Sequence, residues 1–253
     1  MRLAITREVS PSVARCELSF IAREPIDPAR AAAQHAEYES ALASLGYAIL
    51  RLPADPDLPD SVFVEDAALV FDELAVITRP GAESRRPETV AIAEALKPYR
   101  KLAMIDTPAT LDGGDVLRVG RKVYVGLSRR TSPAAVDQLS AILAPYGYRV
   151  QGVEMDDCLH FKTAVTQVAD NTLLINRSWV DPSAFAGCDL IDVDPSEPYA
   201  GNALLIDDTV IFPAAYVATR ARLESRGVRV LPVPADELAK AEGGVTCCSL
   251  LLP

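Results

Sequence analysis

The sequence predicts an α/β fold built from repeated strand-strand-helix units, and three observations carry that expectation. An apolar run, a short polar turn and a second apolar run recur four times; amphipathic helical stretches follow most of these pairs; and the turn centres, near residues 72, 120, 170 and 207, stand 37 to 50 residues apart. Units of that length cannot each bury an apolar face alone, so they pack together, as in a propeller or a barrel.

The elements follow in order. LAITR near the start reads as a strand, and DPARAAAQHAEYESALASLG (27–46) as a helix with Pro28 in its first turn and Gly46 as its stop, leading into the strand YAILRLP. ALVFDELAVITR (68–79), VLRVGRKVYVGL (116–127), AVTQVADNTLLIN (164–176) and ALLIDDTVIFPA (203–214) read as β-hairpins, by their Val, Ile, Leu and Tyr content and their Asp-Glu, Gly-Arg, Asp-Asn or Asp-Asp turns. PETVAIAEALKPY (87–99), SPAAVDQLSAILAPYG (132–147) and TRARLESRG (219–227) have apolar residues at helical spacing. LAITR and the final TCCSLLLP complete one more unit, and no linker rich in Pro, Gly or Ser intervenes, so residues 1–253 are expected to form one domain.

Composition narrows the function. The net charge of −10 and a pI near 4.8 repel nucleic acid. No run approaches the roughly 18 apolar residues of a membrane span, and MRLAITREVS lacks the features of a secretory signal, so a cytoplasmic location is expected. Five cysteines, Cys16, Cys158, Cys188, Cys247 and Cys248, form no CxxC pair, and the two histidines are His35 and His160. Reduced thiols are expected rather than a disulfide framework or a zinc site.

Polar chemistry collects just before the hairpins, in DSVFVEDA (60–67), TLDGGDVL (110–117), DDCLHFKTAV (156–165), AGNALL (200–205) and GGVTCCSLL (243–251). About a pseudo-symmetry axis these segments converge at one end. On SVFVEDAAL, read as a strand, alternation puts Asp60 and Asp66 on one face, suited to a bound cation, and Glu65 on the other. Asp112 or Asp115, beside Gly113 and Gly114, is a candidate to orient the imidazole of His160. Arg85 and Arg86, with Arg129 and Arg130, follow two successive hairpins and suit a carboxylate clamp. Neighbours on a strand point to opposite faces, so Cys247 and Cys248 are not both expected in one pocket; spacing does not choose between them.

Taken together, PDSVFVED, ITRPGAESRR, TLDGGDVL, VGLSRRT, LHFKT and GGVTCCS, in that order over almost the full length, resemble the dimethylarginine dimethylaminohydrolase family of the guanidine-modifying (pentein) superfamily. The chain is too short for the usual arginine deiminase, which carries a helical insertion, and LHFKT differs from that relative's pattern. The resemblance implies a five-bladed α/β propeller of pseudo-symmetric ββαβ units around a central active site. It also implies hydrolysis of Nω-methylated arginine to citrulline. Position by position it implies Cys247 as nucleophile, His160 as general acid and base, and Asp112 as the histidine's partner. Asp60, Glu65 and Asp66 would surround the guanidinium, Arg85 and Arg130 hold the substrate carboxylate, and the carbonyls of Leu18, in a lid loop, and Ala241 hold the amino group. No metal or organic cofactor is implied; zinc on the Cys/His pair is expected to inhibit. A small-molecule substrate is the expected partner of a monomer or homodimer. Two alternatives stand beside this: a hydrolase or deiminase of another substituted guanidine, and a non-catalytic binder of arginine-like ligands, for which Cys247 and His160 would have no use.

Overall fold

The computed structural model describes residues 2–253, and its strands form five three-stranded sheets. The chain begins with β1 (Leu3–Arg7), passes through α1 (Pro28–Ser44) and returns as β2 (Ala48–Leu52), parallel to β1. Asp27 starts α1 by accepting the N–H groups of Ala29 and Arg30, Pro28 occupies the first turn, and Gly46 at φ 90° ends it.

The next two blades repeat one plan. β3 (Ala68–Val70) and β4 (Leu74–Ile77) form a hairpin, and α2 (Glu88–Leu96) crosses to β5 (Lys101–Met104), parallel to β4. β6 (Val116–Val119), β7 (Lys122–Leu127), α3 (Pro133–Leu143) and β8 (Arg149–Glu154) do the same. A short α4 (Phe161–Ala164) leads into the fourth blade, β9 (Val165–Ala169), β10 (Thr172–Ile175) and β11 (Asp189–Asp192), whose crossover carries only a 3-10 turn at Pro182–Phe185. The plan resumes with β12 (Leu204–Ile206), β13 (Thr209–Pro213), α5 (Val217–Ser225) and β14 (Arg229–Val233). After α6 (Asp236–Ala239), β15 (Leu250–Leu252) pairs antiparallel with β1 and completes the first blade.

The expected hairpins stand where the turn chemistry put them. Gly120, Asn171 and Asp207 take φ values of 59°, 50° and 52°, the left-handed geometry that two-residue hairpins need. Apolar clusters tie blades together: Leu69 and Phe71 from the second blade pack with Val123 and Val125 of the third and with Leu139 and Leu143 of α3. Truncating fully buried Leu139 to alanine would cost about 2–5 kcal/mol.

Two segments depart from the sequence reading. SVFVEDAAL is no continuous strand: Val64–Ala67 is a 3-10 turn and only Ala68 onward is extended. Phe63 N–H bonds the Asp60 carbonyl and Glu65 N–H bonds the Cys247 carbonyl, so local and cross-blade partners override the β propensity. Cys247 and Cys248 likewise lie in a turn before β15 rather than in the strand. No helix among the described residues is long and apolar enough to cross a membrane.

Candidate active site

The first strands β3, β6, β9, β12 and β15 line one cavity of about 330 Å³. The segments just before several of them close a second, far smaller pocket of about 10 Å³, room for roughly one water. Asp60, Asp66, Arg85, Arg130, His160, Ala241 and Cys247 line it, together with Glu17, Phe63, Leu159 and Glu242.

His160 is 4% exposed, and its Nε2 lies 3.0 Å from Asp112 Oδ2 and 3.8 Å from Asp66 Oδ1. Burial works to neutralise the ring, but Asp66, Asp112 and Asp115 outweigh it and push the pKa up to about 9, so imidazolium is the resting form at neutral pH. Of the two candidate orienters, Asp112 takes the imidazole. Asp115 instead accepts Ser128 Oγ and Thr131 Oγ1, each at 2.6 Å, and Phe161 N–H at 2.9 Å, so it fixes the backbone beside His160. Gly114 is obligatory here: a Cβ would stand 2.7 Å from His160 Nδ1 and 2.9 Å from Asp66 Oδ1.

The two aspartates have different surroundings. Asp66 accepts Arg85 Nη1 at 2.5 Å and Gly114 N–H at 2.9 Å. Burial opposes its charge, yet His160 and Arg85 prevail and hold the pKa down at about 2. Asp60 accepts only the Glu17 N–H, at 3.1 Å, and burial pushes its pKa up against the pull of Arg85. A cation between them would relieve that cost.

Cys247 Sγ accepts the Gly244 N–H at 3.3 Å. Burial, with Glu65 and Asp66, pushes its thiol pKa up to about 12, so the sulfur is protonated at neutral pH. Cys248, equally buried, has its thiol against the Gly244 carbonyl at 3.6 Å and packs in the core.

Two expected contacts are placed differently. Glu65 does not line the small pocket: its carboxylate accepts Lys162 Nζ at 2.6 Å and Thr246 Oγ1 at 2.7 Å and faces the larger cavity, because the 3-10 turn sends adjacent residues to opposite sides. Arg85 and Arg130 are not an equivalent clamp. Arg85 has its Nε and both terminal nitrogens engaged by Glu88, Asp66 and the carbonyls of Asp60 and Phe63. Arg130 has only Ser19 Oγ at 3.3 Å and Asp112 at 3.7 Å, so it is the guanidinium with donors to spare. Leu18, expected to offer its carbonyl, packs its half-buried side chain on the core, and its neighbour Glu17 lines the pocket. Gly243 and Gly244 make room for Phe63 and Asn202, whose atoms would lie 2.2 and 2.4 Å from a Cβ there.

Sequence reasoning missed Glu242. Its carboxylate accepts the N–H groups of Ser19, Phe20 and Ile21 at 2.8, 2.7 and 3.1 Å, latching the loop over the site, and its own φ is 57°. The signal was a charged residue beside Gly243-Gly244, but its partners lie more than 220 residues away in sequence. Asp66, Asp112 and His160 each offer a ligand atom within 4.8 Å of the others and so could hold a cation. Arg85 and Gly114 already occupy Asp66, which makes the trio a poor dedicated metal centre.

Five blades about an axis, with a thiol, an imidazolium and paired carboxylates meeting at one end, define a guanidine-modifying α/β propeller. Residues 54–197 match the family model described as Arginine deiminase. The chain is 39% identical to the N(G),N(G)-dimethylarginine dimethylaminohydrolase of Pseudomonas aeruginosa over 88% of its length and 89% of that protein. It is also 39% identical to the same-named protein of Streptomyces coelicolor, over 98% of its length and 96% of that protein. A cysteine-to-serine variant of the Pseudomonas aeruginosa enzyme, complexed with citrulline, superposes with a TM-score of 0.94 at 36% identity, covering 98% of both chains. Within the wider arginine deiminase family, the chain belongs to the dimethylarginine dimethylaminohydrolases.

Proposed function

We propose that this chain hydrolyses asymmetric dimethylarginine or monomethylarginine to citrulline and dimethylamine or methylamine. One observation carries the reading: a buried pocket lined by Cys247, by His160 backed by Asp112, and by Asp60 and Asp66, in a chain that matches dimethylarginine dimethylaminohydrolases over nearly its whole length. Related structures hold citrulline in one case and an S-methyl-L-thiocitrulline adduct in another, which supports the same chemistry here. The shared sheet of β1 and β15 supports one domain over 1–253.

In this reading the guanidinium sits between Asp60 and Asp66, and Arg130 pairs with the substrate carboxylate. Arg85 holds Asp66 charged rather than meeting the substrate itself. A free thiol with a pKa near 12 is a poor nucleophile, so the positive charge of the arriving guanidinium has to lower that pKa until the Cys247 proton is released to solvent, leaving the thiolate. Sγ then attacks the central carbon; the bond to the methylated nitrogen breaks as His160 donates its proton, and dimethylamine departs. The neutral imidazole takes a proton from water, whose oxygen attacks the S-alkylthiouronium, and the C–S bond breaks to give citrulline.

The test is citrulline release from asymmetric dimethylarginine by the reduced protein and by Cys247→Ser and Cys248→Ser. Wild type and Cys248→Ser should turn over; Cys247→Ser should not. Absence of turnover with every methylated arginine would sink the function, and wild-type rates from Cys247→Ser would sink the nucleophile.

A further inference from the structure

Beside the catalytic pocket lies a chamber of about 380 Å³ that the reaction above does not use. Leu159, Glu242 and Gly243 line both spaces, so they form the partition between them. Gly244 lines the chamber, and its N–H is the group that touches Cys247 Sγ at 3.3 Å. Leu159 directly precedes His160. The chamber's wall therefore abuts the two residues that bracket the departing nitrogen, with Gly244 against the sulfur and Leu159 next to the imidazolium in the chain.

Its walls are aromatic and aliphatic. Phe20 belongs to the latched loop, Tyr199 and Tyr216 stand on the fourth and fifth blades, and Ala239 ends α6. Of the charged side chains on its wall, Asp236 takes Arg30 and Gln34, Lys240 takes Glu237 and the Pro25 carbonyl, and Glu242 takes the loop amides, while Glu24 is exposed to solvent. A space of that size, largely apolar and with no cationic side chain free to meet a carboxylate, suits an uncharged substituent rather than the charged amino-acid end of a substrate. Two methyl groups would fill little of it.

We infer that the chamber receives the substituent on the departing nitrogen, so that the enzyme also hydrolyses arginines carrying an alkyl or aryl group larger than methyl on that nitrogen. This rests on the function proposed above and extends its substrate class. The balance is unchanged. The Sγ–C bond forms, the bond from carbon to the substituted nitrogen breaks, and His160 protonates the amine, which leaves through the chamber. Water then adds to the carbon as the C–S bond breaks. Substituted arginine and water give citrulline and the larger amine.

The experiment compares kcat/KM for Nω-propyl-L-arginine and asymmetric dimethylarginine in wild type, Ala239→Phe and Ala215→Trp; Ala215 is exposed on the same wall and tolerates a change without refolding the core. Wild type should process the propyl compound within about tenfold of the dimethyl compound, and filling the chamber should lower that ratio by about tenfold or more with dimethylarginine turnover unchanged. The inference is overturned if wild type turns over dimethylarginine but leaves the propyl compound untouched. It is equally overturned if both filled variants lose the two substrates in parallel, which would assign the chamber to the amino-acid end. If neither substrate reacts, the proposed function fails first, and this inference with it.

Discussion

The two ends of the propeller axis are made from the same short segments and differ in how completely their charges are paired. Glu65 and Asp66 are neighbours, as are Thr246 and Cys247, and Lys162 is two residues from His160; the first of each pair, with Lys162, faces the larger cavity, and the second, with His160, the small pocket. At the larger cavity the network closes on itself: Lys162 and Thr246 bond Glu65, and Asn202 bonds Thr246 Oγ1 and the Lys162 carbonyl. At the small pocket Asp60, Arg130 and the thiol keep capacity to bind. One end holds the blades together, and the other is left wanting a cation.

Activity should divide most sharply along that line. Cys247→Ser is expected to lower citrulline production by about three orders of magnitude or more while leaving the melting temperature nearly unchanged, as read by a colorimetric assay and by calorimetry. Lys162→Met should do the reverse in kind. It strands the buried Glu65 carboxylate, so denaturant titration should report a loss of about 3 kcal/mol, and kcat should fall less than it does for Cys247→Ser. Equal stability losses in the two variants would erase the distinction between the ends.

Acidity sharpens the same contrast. His160 has its folded pKa raised from 6.5 to about 9, so its pairing stabilises the fold fully below pH 6.5 and the contribution is lost as the pH rises through about 9. Unfolding followed from pH 6 to 9.5 should show a decline on the order of 3 kcal/mol, which His160→Gln flattens. With the Cys247 pKa at about 12 instead of 9, the unliganded sulfur holds roughly a thousandth of the usual thiolate. Iodoacetamide should therefore label Cys247 far more slowly than half-buried Cys188 at pH 8, as peptide mass spectrometry reports.

The smallest expected change concerns the loop. Glu242→Gln removes the charge that three amides share, so hydrogen exchange at Ser19, Phe20 and Ile21 should accelerate and KM should rise by about threefold to tenfold. Unaltered exchange there would mean that the loop is held by something other than this carboxylate.

The sequence disclosed repeated units more readily than local geometry. Hairpins were legible because their turns need left-handed residues, and Gly120, Asn171 and Asp207 supply them. The site segments were misread as strands because their β-branched and apolar residues have strand propensity, while the contacts that bend them come from other blades, such as Glu65 N–H to the Cys247 carbonyl. The separation of Asp60 and Asp66 from Glu65 emerged all the same, because a 3-10 turn also sends neighbouring side chains apart. Arg85 fits a ligand clamp by its place after a hairpin, whereas in the structure Glu88, three residues on, is one of its partners. The Glu242 latch depends on residues at the other end of the chain, and no local pattern encodes it.

Glu242 also shows how selection for heat resistance alone would mislead an engineer. A non-glycine residue at φ 57° carries about 1 kcal/mol of backbone strain, so Glu242→Gly, beside two existing glycines, would ease the backbone and delete the loop's anchor in one step. A library screened only for survival on heating would favour the relaxed backbone wherever the loop's own contacts are weak. The same library screened for turnover at low substrate would restore glutamate, and the disagreement between the two screens would measure what holding the loop is worth.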